Sequence, residues 1–341
     1  MVKQETLSAK ALDWLLESEN SDPLSVGVRY LALRDLVKAG GKELAAAKKA
    51  AHEQGPISAV LANMDKEGFW VKPGAGYNPK YTGTVWSIIL LAQLGASLEM
   101  DKRIAAGCNY LLDHNLTQHG HFSISGVPSA NIDCLQGNLC YSLLDLGCTD
   151  PRLDKAYQLM ARYVTGDGIA PATDKNAEIR YYAYKCGPVF ACGANNKLSC
   201  AWGGVPVKQA LSKYPASQPT PLMEKAIQTG VDFFFSKDPA KADWPSGNSP
   251  APSSNWPKFG FPVFYVQDIL HLTEALVRLG YGKDPRLANA LKLIRDKQDS
   301  QGRWALEYDY NGKTWVDFGA KKAPNKWVTL RALRVLAMAE G

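Results

Sequence analysis

Several features that would assign a protein to a class are missing from this chain. No run of about 18 apolar residues occurs, which excludes a membrane-spanning helix. Strict alternation of apolar and polar residues is nearly absent, so the pattern gives little support to β-sheet. The chain has no Walker A sequence, no GxGxxG turn, no HExxH helix and no GxSxG elbow. Their absence argues against the nucleotide, dinucleotide, metalloprotease and hydrolase sites that these motifs build.

Charge and cysteine content are equally uninformative about a partner. The formal net charge is +6, and Lys and Arg are spread along the chain, so nucleic acid is not indicated as a partner. The 7 cysteines, an odd number without a CxxC pair, favour reduced thiols over a disulfide framework. The first residues lack a basic segment followed by an apolar one. These features predict a cytoplasmic protein and leave peripheral contact with a membrane open.

What the chain does have is a repeated sequence motif. A glycine stands two residues before an aromatic at Gly68, Gly120 and Gly302, and apolar runs end in Leu-Gly at 94–95, 146–147 and 279–280. The interval between Gly120 and Gly302 leaves room for two further, divergent units. Units of this size bury their apolar faces by stacking on one another. The repeats therefore favour one domain over residues 1–341 rather than two.

Helical spacing of apolar residues predicts six helix pairs. The first members carry a charged face and are expected at about 5–18, 42–64, 101–114, 151–164, 220–236 and 285–298. The second members are apolar nearly all round and are expected at about 24–38, 82–95, 133–147, 200–213, 262–280 and 325–339. Ser21 and Asp22 are predicted to cap the first of these. A helix that is apolar on every side must be enclosed. The predicted fold is therefore all-α: an (α/α)6 toroid with an inner ring inside an outer ring.

Long loops lead into the inner helices, at 70–81, 122–132, 165–199, 237–261 and 304–324. Loops of such length usually carry function, and in a toroid all of these would meet at one mouth. Helix N-termini at that mouth favour an anionic group. The residues predicted to bind substrate there are Lys72, Lys80, Tyr81, Trp86, Asn138, Trp202, Trp256, Lys258, Lys313, Trp315, Lys326, Trp327 and Arg331.

Aromatic walls with several lysines suit a bulky apolar ligand that has an anionic head, or a reaction through carbocations. The residues predicted to be catalytic are Asp133, Cys134, Asp268 and Tyr265. Asp133 would serve as an acid or a metal ligand. The alternative stays open that the aromatic residues only pack the repeats together and that the lysines are ordinary surface residues.

A metal site is a further prediction from the cysteines. Cys134 and Cys200 each begin an inner helix, where the pKa of a thiol is lowered, and Cys192 lies in the loop before Cys200. With Asp133 or His271 these thiolates would form a mixed zinc site. Packing at the helix starts is the alternative. No cofactor is assigned, and zinc or magnesium is left open.

The segment 290–304 resembles the QW repeat of squalene–hopene cyclases and protein prenyltransferase β subunits, with Gln298, Gly302 and Trp304 at the family spacing. Residues 60–70 and 110–122 resemble the same repeat with the glutamine replaced. The resemblance implies an α/α toroid whose active site lies in the central cavity.

The chain also departs from these families. It lacks the Asp-x-Asp-Asp motif with which squalene-type cyclases protonate substrate. Asp133 and Cys134 are adjacent, whereas prenyltransferase β subunits space their Asp-x-Cys zinc ligands by one residue and need an α partner. Cys134 and Cys200 are similar in position to the zinc-binding cysteines of lanthionine cyclases, whose Cys-His-Gly motif is absent. A partner subunit is left open.

The sequence thus favours a terpenoid-cyclase or prenyltransferase-like enzyme that acts on a small-molecule, isoprenoid-type substrate. Two alternatives remain. One is a polysaccharide lyase or hydrolase of the toroid type, with Tyr265, Tyr308 or Tyr310 as base and lysines on acidic sugars. The other is a non-catalytic toroid that binds a ligand or a protein. Fold alone does not decide between them.

Overall fold

The computed structural model describes residues 2–17, 23–181, 186–215, 219–247 and 249–341. Over this part of the chain the regular structure is helical, and the only β contacts are isolated bridges. The α-helices are α1 (Val2–Leu16), α2 (Val26–Ala32), α3 (Gly41–Glu53), α4 (Gly55–Ala62), α5 (Thr84–Gln93), α6 (Lys102–His114), α7 (Asp133–Asp145), α8 (Arg152–Thr165), α9 (Ala201–Lys213), α10 (Pro221–Phe235), α11 (Ile269–Leu276), α12 (Ala288–Asp296) and α13 (Lys326–Glu340). Single π turns extend α2 over Leu33–Val37 and α11 over Val277–Tyr281. The prediction of an all-α fold is confirmed.

The predicted inner helices contact one another in chain order. Helix α5 packs on α7, α7 on α9, α9 on α11 and α11 on α13, and α13 packs on α2. A Cβ on Gly27 of α2 would meet both Trp327 of α13 and the carbonyl oxygen of Leu94 just after α5, so α2 lies between those helices. Each of α1, α4, α6, α8, α10 and α12 contacts an inner helix beside it in the chain. We interpret this order as a ring of helix pairs.

The repeated glycine motif adopts the same local geometry at each of its three positions. Gly68, Gly120 and Gly302 have φ of +98°, +93° and +82°, a region that glycine enters without steric cost. In each unit the glycine N–H donates to the carbonyl oxygen three residues earlier, at 3.0, 2.9 and 3.0 Å. A Cβ on Gly68 would lie 2.9 Å from the carbonyl oxygen of Ala106, and one on Gly120 would lie 2.7 Å from that of Lys155. Gly68 and Gly120 therefore let their turns rest directly on the next outer helix, α6 and α8.

The aromatic residue after each glycine is a core anchor. Trp70, Phe122 and Trp304 are 0%, 0% and 1% exposed. The indole N–H groups of Trp70 and Trp304 donate to carbonyl oxygens ten residues earlier, at 2.8 and 2.7 Å. Trp244 makes the same bond at 3.3 Å, and Ala242 stands two residues before it with φ of +53°. Residues 242–244 therefore form one of the divergent units that the glycine spacing predicted.

One predicted outer helix is in fact two. The stretch expected at 42–64 divides into α3 and α4 at Gln54, whose backbone is extended. Gly55 follows with φ of +66°, and Pro56 occupies the first turn of α4. An extended residue followed by a left-handed one interrupts helical hydrogen bonding, so the apolar periodicity continues across a break.

The inner helix predicted at 262–280 begins seven residues late, at Ile269. Val263 donates its backbone N–H to Oε1 of Gln93 at 2.8 Å, which holds this segment against α5. Asp268 then caps the helix by accepting the N–H of His271 at 2.7 Å. The predicted cap at Ser21 and Asp22 lies outside the described residues.

The buried apolar side chains of the described residues form a main core that runs from Ala11 in α1 to Ala339 in α13. A smaller cluster around Leu159 and Tyr163 lies beneath the loop that follows α8. No helix in the described ranges has both the length and the apolarity needed to cross a bilayer. The division of the chain into one domain stays a prediction.

A fully buried lysine gives the fold a pH dependence. Lys208 of α9 donates to the carbonyl oxygens of Ala226 and Ile227 in α10, at 2.6 and 3.0 Å. Burial lowers the pKa of Lys208 from 10.5 to about 7. Between those values the unfolded chain binds more protons than the folded one, so stability rises with pH in this window. We expect the gain to be no more than about 4 kcal/mol.

The Lys208→Met variant should remove this contribution. Urea unfolding at pH 7 and pH 10 would show a smaller difference in unfolding free energy for the variant than for the wild type. Lys225→Met is the matched control, because Lys225 is an exposed residue of α10 that pairs with Asp167. Equal pH slopes for wild type and Lys208→Met would contradict the assignment.

Candidate functional site

An aromatic cluster forms where the loop before α5 meets the segment before α11. The hydroxyl groups of Tyr81 and Tyr265 are 2.9 Å apart. The ring of Tyr81 lies 5.4 Å from Trp86 and 4.7 Å from Tyr310. The ammonium group of Lys80 lies 4.9 Å from the centroid of the Tyr265 ring, within range of a cation–π contact. The structure thus brings together four predicted site residues, Lys80, Tyr81, Trp86 and Tyr265.

Burial keeps several phenols of this cluster neutral. It raises the pKa of Tyr77 to about 12. It also raises the pKa of Tyr81, whose hydroxyl hydrogen bond to Tyr265 acts in the same direction. The pKa values of Tyr308 and Tyr310 are raised as well, and burial is the largest cause in both. The cluster therefore presents aromatic faces and neutral hydroxyl groups beside one lysine.

A pocket of about 520 Å³ adjoins this cluster at the N-terminus of α9. Its walls are the indoles of Trp202, Trp244 and Trp256, together with Tyr265 and Cys200. The ring of Trp256 lies 6.4 Å from that of Trp202 and 5.2 Å from that of Trp244. Serine, proline, alanine and asparagine complete the lining, and none of the described lining residues is charged. Both volume and composition are those of a small-molecule site.

Trp244 is the wall residue that sequence reasoning missed. The repeat was read from glycine two residues before an aromatic, and here alanine takes the glycine position at Ala242. Trp70, Trp244 and Trp304 each lie ten residues after the outer-helix residue whose carbonyl oxygen accepts the indole N–H. A search for this offset would have found Trp244.

Asp133 lies behind the first turn of α9, and it is this turn, rather than Asp133 itself, that lines the pocket. It is the first residue of α7, and a Cβ on Gly203 of α9 would be 3.2 Å from the Asp133 Cβ. Asp133 is 5% exposed, and its Oδ2 has no hydrogen-bond partner among the described residues. Burial raises the pKa of Asp133 well above its usual value of 3.8. The shift favours the neutral carboxylic acid, which is the form that can donate a proton.

Other buried polar atoms near the same helix starts also lack partners within the described part of the chain. They are the Asn131 Oδ1, the Tyr181 hydroxyl and the Trp202 Nε1. Tyr181 lies within electrostatic reach of Asp133, and Trp202 is in the first turn of α9. Buried polar atoms in folded proteins are nearly always hydrogen-bonded. The starts of α7 and α9 therefore offer several polar contacts that the described residues leave unused.

The cysteines do not behave as predicted. Burial, with the neighbouring Cys192 and Cys200, raises the pKa of the Cys134 thiol, and burial raises that of Cys200 to about 11. Desolvation outweighs the helix N-terminus, so these groups are thiols rather than thiolates. Within the described ranges, no three His, Cys, Asp or Glu side chains are placed to hold a metal ion. The predicted set of Cys134, Cys192 and Cys200 is therefore not a preformed metal centre.

Two predicted site residues form a structural ion pair instead. Nη1 and Nη2 of Arg331 donate to the Asp268 carboxylate at 2.8 and 2.9 Å, and Nη1 also donates to the carbonyl oxygen of Gly260 at 2.6 Å. Both side chains are buried. The pair fastens the segment before α11 to α13, which leaves Asp268 unsuited to act as a free acid or base.

The convergence of five lysines at the mouth stays a prediction, and their individual contacts differ. Lys326 pairs with Glu17 at 3.2 Å and lies over the ring of Trp14. Lys258 contacts the side chains of its own loop, and Lys72 and Lys313 are exposed. Lys80 contacts the aromatic cluster, with its ammonium group over the rings of Tyr77 and Tyr265.

Three further predicted residues hold elements together. The Trp327 ring stacks on Phe261 with centroids 4.5 Å apart and is almost fully buried. The Trp315 indole donates to the Ser87 hydroxyl at 2.9 Å, and the Asn138 amide donates to the carbonyl oxygen of Phe264 at 3.1 Å. These contacts position the loops around the mouth.

No family model matches this chain, and no curated protein matches it in sequence. Among solved structures, a protein from Actinoplanes is similar at 15% identity, over 99% of this chain and 100% of that one, with a TM-score of 0.48. A family 10 polysaccharide lyase from Cellvibrio cellulosa is similar at 14% identity, over 67% of this chain and 79% of that one, with a TM-score of 0.30. The type II terpene cyclase MstE from Scytonema is similar at 12% identity, over 86% of this chain and 98% of that one, with a TM-score of 0.32. Similarities this weak assign neither a family nor an activity.

Proposed function

We propose that this chain is an enzyme of the terpenoid-cyclase type that binds a bulky, largely apolar, isoprenoid-like substrate in the tryptophan-lined pocket. The observation that carries the proposal is Asp133, a buried carboxyl group with one oxygen that has no partner among the described residues, packed behind the helix turn that lines an aromatic pocket. A neutral carboxylic acid is the kind of proton donor that an alkene or an epoxide needs at neutral pH.

The chemistry follows from these groups. The Asp133 O–H bond breaks as its proton adds to an alkene carbon or an epoxide oxygen of the substrate, and the electron pair of a second double bond forms the new C–C bond. The rings of Trp202 and Trp256 are placed to stabilise the carbocation through their π faces. Loss of a proton to water ends the sequence, and solvent returns a proton to the Asp133 carboxylate.

An anionic head group would lie near Lys80. Its ammonium group rests over Tyr265, and the Tyr265 side chain also lines the pocket. The charged end of a substrate would then stay at the mouth while the chain enters the apolar pocket. This arrangement supports one lysine as the head-group contact rather than the five that the sequence pattern indicated.

The test is incubation of the full chain with polyprenes, epoxypolyprenes and polyprenyl diphosphates of increasing length. Mass spectrometry should find a cyclised product, and binding titrations should show saturation. Trp202→Ala is expected to weaken binding about tenfold through loss of one aromatic wall. Trp14→Ala is the control, because Trp14 is a partly buried tryptophan of α1 outside the pocket. No binding or turnover of any of these compounds would overturn the proposal.

A lyase acting on acidic glycans is a second candidate. The paired hydroxyl groups of Tyr81 and Tyr265 beside Lys80 favour it, since a tyrosine base and a lysine on a uronate carboxylate would need this placement. Depolymerisation of pectate, alginate or glycosaminoglycans would support this activity. A protein inert toward both substrate classes would favour the non-catalytic, ligand-binding alternative.

A further inference from the structure

A second cavity, of about 70 Å³, lies within the ring of inner helices. Side chains from α2 and its π turn and from α5, α7, α11 and α13 line it, together with Lys213 at the end of α9 and the segment before α11. It shares no lining residue with the tryptophan-lined pocket. Its volume is more than twice the roughly 30 Å³ that one water molecule takes up in the liquid.

Cationic side chains outnumber the carboxylates that pair with them at this cavity. Its cationic lining residues are Arg34, Lys213, Arg278, Arg331 and Arg334. The carboxylates paired with them are Asp35 with both Arg34 and Arg334, Asp145 with Lys213, Glu274 with Arg278, and Asp268 with Arg331. Among the described residues of this set, four carboxylates thus face five cations. His271 does not change the balance, because burial, with Arg331 nearby, lowers its pKa to about 4.

The uncompensated charge falls on the arginines that share Asp35. Arg34 takes both carboxylate oxygens of Asp35, at 2.6 and 3.0 Å, so Arg334 has only a shared contact. The Arg334 side chain is only 15% exposed. Its Nε is buried and has no hydrogen-bond partner within the described part of the chain. A buried guanidinium with an unused N–H costs stability unless a further acceptor is present.

We propose that this cavity binds one small oxyanion, either inorganic phosphate or the phosphate group of a small organic molecule, with Arg334 as its principal contact. The planar N–H fork of arginine matches the paired oxygens of such groups, and an anion here would neutralise the excess charge. Arg34 and Arg278 are placed on the same lining to bind the remaining oxygens. This inference does not depend on the proposed cyclase activity.

The experiment is a calorimetric titration of the full chain with inorganic phosphate at pH 7 and constant ionic strength. The expected result is saturable binding of one anion per chain, with a rise in Tm. Arg334→Gln should weaken that binding at least tenfold. This variant leaves Asp35 paired with Arg34, so no carboxylate loses its only cationic partner. Arg295→Gln is the control, because Arg295 pairs with Glu340 on an outer helix and does not line the cavity.

A titration with methyl phosphate identifies the source of the anion. Binding as tight as that of inorganic phosphate indicates the phosphate group of an organic molecule, and much weaker binding indicates the free ion. Arg34→Gln should also weaken binding, which keeps the test valid if Arg334→Gln does not fold. Absence of saturable binding to the wild type, or equal affinity in Arg334→Gln and the wild type, would overturn the proposal.

Discussion

The Asp133→Asn variant is expected to lose at least about 100-fold in turnover of a cyclisable polyprene, with no loss of stability. Asparagine keeps the size of the side chain but has no acidic proton to give to an alkene. The wild-type residue gains nothing from ionisation, because its carboxyl group is buried and one oxygen has no partner among the described residues. We therefore expect the variant to be at least as stable as the wild type at pH 7.

Dependence on pH provides an independent check on this role. The folded-state pKa of Asp133 is raised by burial, so the proton-donating form persists above the usual range of a carboxyl group and is lost as pH rises through the raised pKa. Turnover should accordingly fall on the alkaline side. The same shift costs the wild type stability above the unfolded pKa of about 4, so Asp133→Asn should be no less stable than the wild type at pH 7.

Asp268→Asn is the matched control for Asp133→Asn. Asp268 also stands at the start of an inner helix, but its carboxylate is bound by Arg331. Breaking that buried pair should cost about 3 kcal/mol of stability. Urea unfolding and product formation, measured on both variants, separate a catalytic acid from a structural one. Full turnover by Asp133→Asn would show that Asp133 is not the acid.

The sequence was most informative where a residue determines its own local backbone. Gly68, Gly120 and Gly302 mark turns because each has a positive φ, and the apolar period of the helices is a local property as well. The same logic failed at Ala242, where the backbone takes the left-handed region without glycine. The unit containing Trp244 was therefore missed by a search for glycine.

The candidate site was predicted less completely because its chemistry depends on distant partners and on depth of burial. Asp268 and Arg331 are 63 residues apart, and nothing local indicates that they pair. Cys134 was correctly placed at a helix start, which lowers the pKa of a thiol, but the sequence does not report the burial that raises it further. Charge balance in the second cavity likewise depends on which arginines share one carboxylate.

Gly137→Ala is expected to destabilise the protein by about 3 kcal/mol or more. A Cβ on Gly137 of α7 would lie 2.4 Å from both the carbonyl carbon of Pro206 and the backbone nitrogen of Val207 in α9. These are backbone atoms, so the clash can be relieved only by moving two helices apart. The gain of about 1 kcal/mol that alanine offers over glycine within a helix is too small to offset it.

Gly40→Ala is the control for this change, because a Cβ on Gly40 would meet no atom within 4 Å and its φ is −135°. Its unfolding free energy should stay within about 0.5 kcal/mol of the wild type. Separation of α7 from α9 would also carry Asp133 away from the pocket, since Asp133 and Trp202 stand in the first turns of those helices. Any folded Gly137→Ala protein should therefore show altered tryptophan fluorescence and reduced substrate binding. Wild-type stability and binding in this variant would mean that the two helices do not approach as closely as the site requires.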